Sequence, residues 1–356
     1  MSKSHYIIPI FVPHEGCPHT CVFCNQDSIT GSCFKIDGPF VKNTIENYLE
    51  TIDSSNAIVE VSFFGGTFTA INIEKQNELL SVAKEYKDKG KIDFIRLSTR
   101  PDYIDDFILT NLKKYKADII ELGVQSLDEE VLLKSGRGHT GKDVEKASKL
   151  IKGYGFTLGH QIMLGLPGDN INKDIETVNK SIKMNPDICR IYPSLVIKNT
   201  PMEKLLFKNE YKPYTLEEAV EISKIIYGMY VSNGINVIRI GLQPTEEINY
   251  DKEIVDGPFH PSFRELVESS IYKDIIVNTV KENNFNLDSI SINPKDISKL
   301  YANKKKYFKE ALEDLNLKEI KVNQDKTLKR GEIVLNYNND KHLISFEEYL
   351  KGKFIN

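Results

Sequence analysis

The stretch that decides the fold begins with Tyr6-Ile-Ile-Pro-Ile-Phe-Val12 and continues, four residues later, as Cys17-Pro-His-Thr-Cys21-Val-Phe-Cys24. The first part is an apolar run of seven residues, which suits a buried strand and is too short to cross a membrane. The second part places three cysteines within eight residues, in the loop that follows this strand. Thiolates at such short spacings suit a single metal centre. The sequence therefore predicts a core strand followed by a metal-binding loop.

Two kinds of metal site compete for this loop. Three thiolates that wrap an iron-sulfur cluster leave one iron without a protein ligand, and that position is open to a bound molecule. A structural zinc site needs a fourth ligand, and the candidates are His14, His19 and Cys33. The second C-x-x-C knuckle that is usual in structural zinc sites is missing from the sequence. Five cysteines in 356 residues is an odd, low count for a secreted disulfide framework, so we expect reduced thiols in a cytoplasmic protein.

Outward from this stretch, short apolar runs alternate with longer amphipathic runs. Such alternation is typical of repeated strand-helix units around a parallel sheet, and it indicates the α/β fold class. The predicted strands are residues 6–12, 58–64, 94–99, 118–124, 158–164, 189–195 and 236–240. The predicted helices are residues 42–52, 73–86, 103–115, 141–154, 173–184 and 215–232.

Seven such strands can close into a barrel or remain an open doubly wound sheet. Nearly every predicted strand is followed by a polar or glycine-containing signature, such as Gly65-Gly66-Thr67 or Gly165-Leu-Pro-Gly-Asp169. Barrels place their chemistry at this end of every strand, whereas an open sheet collects it at one switch point. We therefore expect a partial or near-closed parallel (β/α) barrel of the TIM type.

After about residue 250 the alternation of strands and helices stops. Residues 261–281 and 294–315 have the pattern of helices, and residues 319–322 and 332–337 have the pattern of a strand pair. The predicted organisation is a core barrel over residues 1–250 and a small C-terminal α+β extension over residues 251–356.

The cysteine run resembles the signature of the radical S-adenosylmethionine (radical SAM) superfamily, and the resemblance extends over about residues 6–250. It implies that Cys17, Cys21 and Cys24 bind a [4Fe-4S] cluster whose fourth iron is completed by S-adenosylmethionine. It also implies that one electron, from a donor such as ferredoxin or flavodoxin, releases a 5'-deoxyadenosyl radical. No catalytic residue beyond the cluster is assigned.

Five later motifs are similar to those of the catalytic subunit of Elongator and, more distantly, of oxygen-independent coproporphyrinogen oxidases. These motifs are Phe64-Gly-Gly-Thr-Phe-Thr69, Ser98-Thr-Arg-Pro-Asp-Tyr103, Leu122-Gly-Val-Gln-Ser126, Ser135-Gly-Arg-Gly-His-Thr140 and Met163-Leu-Gly-Leu-Pro-Gly168. The resemblance implies that the cofactor is bound by Gly65, Gly66, Thr67, Ser98, Gln125, Arg137 and Gln161. Ser98 stands where these relatives carry a glutamate, and Gln161 stands where the porphyrinogen enzymes carry an aspartate. Both replacements are neutral, although each can still hydrogen-bond a hydroxyl group.

Elongator's catalytic subunit modifies the wobble uridine of transfer RNA and has a separate acetyltransferase domain, which we do not expect within these 356 residues. The resemblance therefore implies radical modification of tRNA, either of a different kind or with a partner that supplies the missing domain. The alternatives are the same chemistry on a small molecule such as a porphyrin precursor, and a non-catalytic metal- or haem-binding module with the same fold.

A basic segment in the extension is the candidate RNA contact. The formal net charge of −4 argues against binding nucleic acid by overall charge. Residues 295–330 nevertheless carry 11 basic and 6 acidic side chains, with Tyr301, Tyr307 and Phe308 among them. Cations and aromatic rings together can hold phosphates and stack bases, while an ordinary solvated helix face is the alternative. We expect no membrane partner.

Several polar residues within or just after the predicted strands are candidates for lining a substrate cavity, with buried structural pairing as the alternative. They are Arg100, Arg190, Tyr192, Arg239 and Gln243.

Overall fold

The computed structural model describes residues 4–12, 17, 19–25, 36–53, 56–242, 248–250 and 252–354. His14, Cys33 and Gln243 lie outside these ranges. The chain forms two compact units, one of Met1–Pro213 with Pro244–Gly257 and one of Tyr214–Gln243 with Pro258–Asn356. The predicted domain boundary after residue 250 remains a prediction, which limited proteolysis of the folded chain would test.

Seven of the strands form a curled, parallel sheet. In chain order, the strands are β1 (Ser4–Val12), β2 (Ala57–Gly65), β3 (Phe94–Thr99), β4 (Ile119–Gln125), β5 (Thr157–Leu164), β6 (Ile188–Pro193), β7 (Val196–Ile197), β8 (Asn236–Ile240), β9 (Ile254–Asp256), β10 (Ser289–Ile292), β11 (Lys321–Gln324), β12 (Glu332–Tyr337) and β13 (Asp340–Ser345). The large sheet has the order β1-β2-β3-β4-β5-β6-β8. This arrangement confirms the predicted partial barrel of the TIM type.

The helices of the described residues connect these strands and form part of the extension. They are α1 (Gly38–Leu49), α2 (Ile73–Asp88), α3 (Asp106–Lys114), α4 (Glu129–Lys134), α5 (Gly141–Gly153), α6 (Ile171–Lys183), α7 (Pro201–Phe207), α8 (Leu216–Ser232), α9 (Phe263–Asn283), α10 (Ile297–Leu300), α11 (Ala302–Asp314) and α12 (Phe346–Phe354). Side chains cap many of their N-termini. Thr140 and Asp143 form a capping box at α5, and Thr215 and Glu218 form another at α8. None of these helices combines the length and the apolar character needed to cross a membrane.

The two faces of the parallel sheet differ in chemistry. Successive side chains of a strand point to opposite faces, so the even-numbered and odd-numbered residues of β2 lie on opposite faces of the sheet. Val59, Val61 and Phe63 are buried and apolar, whereas Glu60 and Ser62, on the opposite face, are buried and polar. We call the face that carries Glu60 and Ser62 the polar face. The apolar face suits packing against helices, and the polar face is the one that can hold chemistry.

The extension differs from its prediction in two places. The helix expected over residues 294–315 is interrupted, because Asn303, Lys304 and Lys305 adopt left-handed φ angles of 49°, 53° and 67°. Asparagine tolerates this conformation better than most residues, so Asn303 suits the start of the break. The expected strand pair is also wrong, since β10 lies between β11 and β12 in a sheet of order β11-β10-β12-β13.

Candidate functional site

The described part of the cysteine loop, residues 17 and 19–25, lies beside the C-terminal end of β2. Cys17 Sγ is 3.4 Å from the hydroxyl oxygen of the buried Thr67, which follows the paired glycines. The backbone N–H of Cys24 donates to the carbonyl of Cys21 at 3.1 Å, so these two cysteines lie on one tight turn. Cys17 and Cys21 take part in no disulfide among the described residues. The loop therefore presents thiols at the edge of the sheet where barrels place their chemistry.

Neighbouring segments hold the cysteine loop from two sides. The N–H of Val22 donates to the carbonyl of Ser135 at 3.1 Å, and the carbonyl of Val22 accepts from the N–H of Met202 at 2.9 Å. Asn25 Nδ2 donates to the carbonyl of Lys198 at 3.1 Å. An apolar cluster beside the loop consists of Val196, Met202 and Tyr211, with Val22, Phe23, Leu205, Leu206 and Val255 packed against it. These contacts fix the backbone of the loop independently of any bound metal.

Two glycines let the motif Ser135–Thr140 approach the cysteine loop. Gly136 has φ 65° and Gly138 has φ 72°, a left-handed conformation that favours glycine. A Cβ atom on Gly136 would lie 3.2 Å from the carbonyl oxygen of Thr20, and one on Gly138 would lie 2.4 Å from the ring of His19. The sequence reasoning assigned no role to these glycines, although their position on either side of Arg137 is a signal of close backbone approach.

Arg137 connects the cysteine loop to β4. Its Nη1 donates to Cys21 Sγ at 3.2 Å, and its Nη2 donates to the carbonyl of Gly123 at 2.6 Å. Arg137 is buried, and its Nε has no hydrogen-bond partner among the described residues. A buried guanidinium with an unused N–H suits a further anionic ligand.

Gln125 and Gln161 meet next to Arg137. A β-bulge between Gly123 and Gln125 shifts the register of β4, and Gln125 has φ 63°, a rare conformation for a residue with a side chain. The bulge re-aims Gln125, whose Oε1 accepts a hydrogen bond of 3.4 Å from Gln161 Nε2. A Cβ atom on Gly123 would lie 3.0 Å from Gln125 Nε2 and 3.2 Å from Arg137 Nη2. The structure thus brings together three of the predicted cofactor residues around a glycine.

The paired glycines lie where β1 and β2 end together. Gly65 has φ 109°, and a Cβ atom there would lie 2.8 Å from the carbonyl oxygen of Val12. The N–H of Gly66 donates to this same oxygen at 2.9 Å. Both glycines and Thr67 are therefore next to the cysteine loop. Ser98, by contrast, lies half-buried on β3 and makes no hydrogen bond to the other predicted site residues in the described part of the chain.

The fit of these residues to an iron-sulfur cluster rests on their chemistry. No three His, Cys, Asp or Glu side chains of the described residues converge closely enough to hold a metal ion, so the three thiols share a loop without meeting at one point. Cysteine thiolates are nevertheless the ligands that such clusters use, and hydrogen bonds to sulfur adjust their properties. The hydrogen bond from Arg137 Nη1 to Cys21 Sγ is of this kind. The donor set therefore fits a cluster.

A chain of four buried charges crosses the polar face of the sheet. Arg96 on β3 donates to Glu60 Oε2 at 2.8 Å and to Glu121 Oε1 at 3.2 Å. Glu121 also accepts a hydrogen bond of 2.7 Å from Arg190 Nε on β6. The two carboxylates and the two guanidinium groups cancel formally, which is what buried charges require. Sequence reasoning missed Glu60, Arg96 and Glu121, although charged residues inside apolar strands are a signal of this kind.

The remaining cavity candidates have different surroundings. Both contacts of Arg100 go to Asp102, at 3.0 and 2.9 Å, so the structural-pairing alternative holds for Arg100. Arg190 Nη1 donates to the hydroxyl of Tyr192 at 3.2 Å, on the polar face. Arg239 is half-buried on β8, in the second compact unit.

His139 is an uncharged neighbour of Arg137. Burial, followed by the nearby Arg137 and Arg100 guanidinium groups, lowers the pKa of His139 from 6.5 to about 3. Its Nε2 lies 3.3 Å from the carbonyl of Val124, and its Nδ1 has no hydrogen-bond partner among the described residues. The imidazole is therefore neutral near pH 7 and adds no positive charge to that of Arg137.

The basic segment of the extension is only partly available for binding. Tyr307 and Phe308 are 6% and 7% exposed, so stacking of bases on these two rings is contradicted. Lys306 is 2.7 Å from Glu217, and Arg330 is 2.7 Å from the buried Asp296. The lysines of this segment that stay exposed are Lys295, Lys304, Lys305, Lys309, Lys318, Lys321, Lys326 and Lys329.

Two family models match the sequence. The model of the Radical SAM superfamily matches residues 11–180, and the model of the Radical_SAM C-terminal domain matches residues 186–273. These matches contain all the cysteines of the loop and all the predicted cofactor residues.

Curated proteins and a solved structure are similar to the chain. It is 30% identical to the tRNA uridine(34) acetyltransferase of Methanocaldococcus jannaschii over 257 residues, which is 61% of this chain and 47% of that protein. It is 32% identical to Elongator complex protein 3 of Homo sapiens over 184 residues, which is 46% of this chain and 34% of that protein. The chain thus spans about half the length of these relatives, or less. The archaeal Methanocaldococcus infernus Elp3 with an N-terminus deletion (1–46) has a TM-score of 0.61 at 23% identity, covering 81% of this chain and 70% of that one, and shows the fold.

Proposed function

Because the chain belongs to the radical SAM superfamily, we propose that it is a tRNA-modifying enzyme whose radical is generated beside Cys17, Cys21 and Cys24. The family resemblance of the cysteine run and the similarity of the later motifs to Elongator are both confirmed. The chain is therefore an enzyme whose cofactors are a [4Fe-4S] cluster and S-adenosylmethionine. The tRNA substrate and the roles of individual residues are the proposal.

The observation that carries the proposal is the hydrogen bond from Arg137 to Cys21 Sγ. It joins the cysteine loop to the group of Gln125, Arg137 and Gln161, so ligands for a cluster and donors for a second cofactor lie side by side. When bound, the cluster and S-adenosylmethionine supply a 5'-deoxyadenosyl radical. In our proposal the three cysteines hold the metal, and Arg137 binds the carboxylate of the methionyl group.

Further residues orient the cofactor in this proposal. Gln125 and Gln161 offer amide groups to hydroxyls, and Ser98 offers a hydroxyl from β3. Gly65 and Gly66 bring backbone carbonyls close to the methionyl amine, because no side chain shields them. Thr67, beside Cys17 Sγ, supports the cysteine loop. Together these residues position the reacting bond and exclude water from it.

The tRNA substrate is supported by the relatives, which are named as a tRNA uridine(34) acetyltransferase and as an Elongator protein. We propose that the chain performs a radical step on a uridine and that exposed lysines of the extension contact RNA phosphates. Lys304, Lys305 and Lys309 are exposed and close together in the sequence, and Lys305 Nζ lies 4.2 Å from the ring centroid of Tyr301. A cytoplasmic location and a one-electron donor such as ferredoxin or flavodoxin complete the proposal.

The experiment is anaerobic reconstitution with iron and sulfide, followed by an assay of 5'-deoxyadenosine with and without bulk tRNA. We expect the wild-type protein to show iron-sulfur absorbance and tRNA to increase the product. Cys24→Ala should lose both the absorbance and the product while it keeps its circular dichroism spectrum. Cys189→Ala is the matched control, because Cys189 is buried in β6, away from the cysteine loop, and should behave as wild type.

Three outcomes would contradict parts of this proposal. Zinc bound by four protein ligands in oxygen-free preparations would remove the cluster. Product formation that responds to a porphyrin precursor and not to tRNA would favour the small-molecule alternative. RNA binding that does not weaken with salt would exclude the lysine surface, because phosphate contacts release counterions.

A further inference from the structure

Two phenylalanines lie side by side on the polar face, at the ends of β1 and β2. Phe11 is in register with Phe64, with ring centroids 5.9 Å apart and ring planes inclined by 39°. Phe11 is 44% exposed, although Ile10 and Val12 on either side of it are buried. A single exposed aromatic ring is ordinary on a protein surface, so its meaning depends on the groups around it.

An arginine from a distant strand of the sheet lies over the ring of Phe64, on the same polar face. The guanidinium carbon of Arg190 on β6 lies 5.3 Å from the ring centroid of Phe64. Glu121 and the hydroxyl of Tyr192 accept hydrogen bonds from Arg190 Nε and Nη1, and no partner for Nη2 is seen in the described ranges. The Arg190 side chain is 11% exposed, so it reaches the surface of this face. A guanidinium group only donates hydrogen bonds, and a ligand that meets it must therefore bring acceptors.

The charges around this arginine restrict the ligand further. Arg190 and Arg96 are balanced by Glu121 and Glu60 within the same buried chain. The floor of the site therefore offers directed donors without a net positive charge. A ligand with several carboxylates, such as a porphyrin precursor, would gain no net electrostatic attraction from this balanced set of charges. A neutral, planar ring that carries carbonyl oxygens matches both the aromatic rings and the donors.

The aromatic pair is also close to the proposed origin of the radical. Phe64 directly precedes Gly65 and Gly66, and Thr67 Oγ1 lies 3.4 Å from Cys17 Sγ. Phe11 lies next to Val12, whose carbonyl accepts the N–H of Gly66. A ring stacked on Phe11 would therefore lie at the same edge of the sheet as the cysteine loop.

We propose that Phe11, Phe64, Arg190 and Tyr192 form the subsite that receives an unpaired uracil base of the substrate RNA. This base subsite rests on the proposed function, because it specifies where that substrate lies. Phe11 stacks on the base, as aromatic side chains do with splayed-out bases of RNA, and Phe64 holds the Arg190 guanidinium beside it. Arg190 donates to a ring carbonyl and is oriented for this by Glu121 and Tyr192. Arg190 is thus the residue that distinguishes uracil from bases with fewer carbonyl acceptors.

The test uses a hairpin RNA with one unpaired uridine in its loop and the reconstituted enzyme. In Phe11→Leu we expect the KM for this hairpin to rise about 10-fold to 100-fold, as for loss of one stacked base, with little change in 5'-deoxyadenosine formed without RNA. Phe11→Tyr should restore most of the binding, because the phenol ring also stacks. Phe107→Leu is the matched control, since Phe107 is 66% exposed on α3 and should keep the wild-type KM.

A second readout locates the base directly. The same hairpin with 4-thiouridine at the unpaired position should cross-link, on irradiation, to peptides that contain Phe11, Phe64 or Tyr192, and the cross-link should be lost in Phe11→Leu. Wild type should bind hairpins with cytidine or adenosine at this position more weakly than it binds the uridine hairpin. Arg190→Lys should bind all three hairpins with equal affinity. If wild type responds to the hairpin and Phe11→Leu matches it in KM and cross-linking, the base subsite is wrong while the proposed function stands. If wild type neither binds nor responds to the hairpin, the proposed function fails and the subsite with it.

Discussion

Glu121 on β4 forms an ion pair with Arg190 on β6, across the strand that separates them. The strand β5 lies between these two strands in the sheet, yet the distance from Glu121 Oε1 to Arg190 Nε is 2.7 Å. Gly159 of β5 is in register with Glu121 on one side and with Ile188 on the other. A Cβ atom at Gly159 would lie 2.7 Å from Glu121 Cγ and 3.1 Å from Ile188. The ion pair therefore forms through the space that a glycine leaves on the middle strand.

Gly159→Ala should strain this crossing. We expect the free energy of unfolding to fall by about 1–3 kcal/mol, because the new methyl group overlaps a buried side chain in a packed region. Urea unfolding followed by circular dichroism measures the change. Gly153→Ala is the matched control at the end of α5, where a Cβ atom meets nothing within 4 Å, and it should leave stability unchanged or slightly higher. Equal losses in the two variants would show that Gly159 does not provide space for the ion pair.

Gly65→Ala should disturb the end of β1. The added Cβ atom would lie 2.8 Å from a backbone oxygen of Val12, and the backbone φ of 109° is unfavourable for alanine. Gly90→Ala shares a positive φ, 66°, but has nothing within 4 Å. We expect Gly90→Ala to cost about 1–2 kcal/mol and Gly65→Ala to cost more than that, with a lower iron content after reconstitution. Thermal unfolding and iron analysis compare the two variants. Identical results would show that the close approach of Gly65 to the carbonyl of Val12 is not important for stability or for iron binding.

Local features of the chain can be predicted, and long-range pairing cannot. The apolar runs predict Phe94–Thr99 and Asn236–Ile240 with both of their observed ends. Asp93 and Arg100 bound the first run, and Gly241 ends the second. The cysteine spacing is likewise local. The bond from Arg137 to Cys21, however, joins residues 116 positions apart, and the pair of Glu121 and Arg190 joins residues 69 apart. Such contacts depend on how strands are placed in the sheet, which periodicity does not specify.

Arg137 offers a test of the cofactor group. Arg137→Lys keeps the positive charge but loses the planar fork that reaches both Cys21 Sγ and the carbonyl of Gly123. We expect the Kd for S-adenosylmethionine to rise about 10-fold to 100-fold, the range for a hydrogen bond to a charged group. Equilibrium dialysis with reconstituted protein measures it, and the paramagnetic resonance spectrum of the reduced cluster should also change. Arg330→Lys, 55% exposed in the extension, should match wild type, and wild-type affinity in Arg137→Lys would exclude Arg137 as a cofactor ligand.

His160 should make the stability of the fold depend on pH. It is fully buried on β5, where its ring nitrogens lie 2.9 Å from the hydroxyl of Ser148 and 2.8 Å from that of Ser181. Burial, and to a smaller extent Lys152, lowers the pKa of His160 from 6.5 to about 3. Below pH 6.5 the unfolded chain therefore binds a proton that the folded chain does not, and stability falls as the pH falls from 6.5 towards 3. Through His160, the free energy of unfolding should fall by about 2 kcal/mol between pH 7 and pH 5.

His160→Gln removes the titrating ring and keeps a side chain that can hydrogen-bond the two serines. The variant will be less stable than wild type at pH 7, but the loss of stability between pH 7 and pH 5 should be smaller by about 2 kcal/mol. Because the comparison uses the difference between two pH values for each protein, a constant packing penalty cancels. Urea unfolding at both pH values measures this difference. An unchanged difference in the variant would mean that His160 takes up a proton in the folded protein as readily as in the unfolded chain, and that burial between α5 and α6 does not keep it neutral.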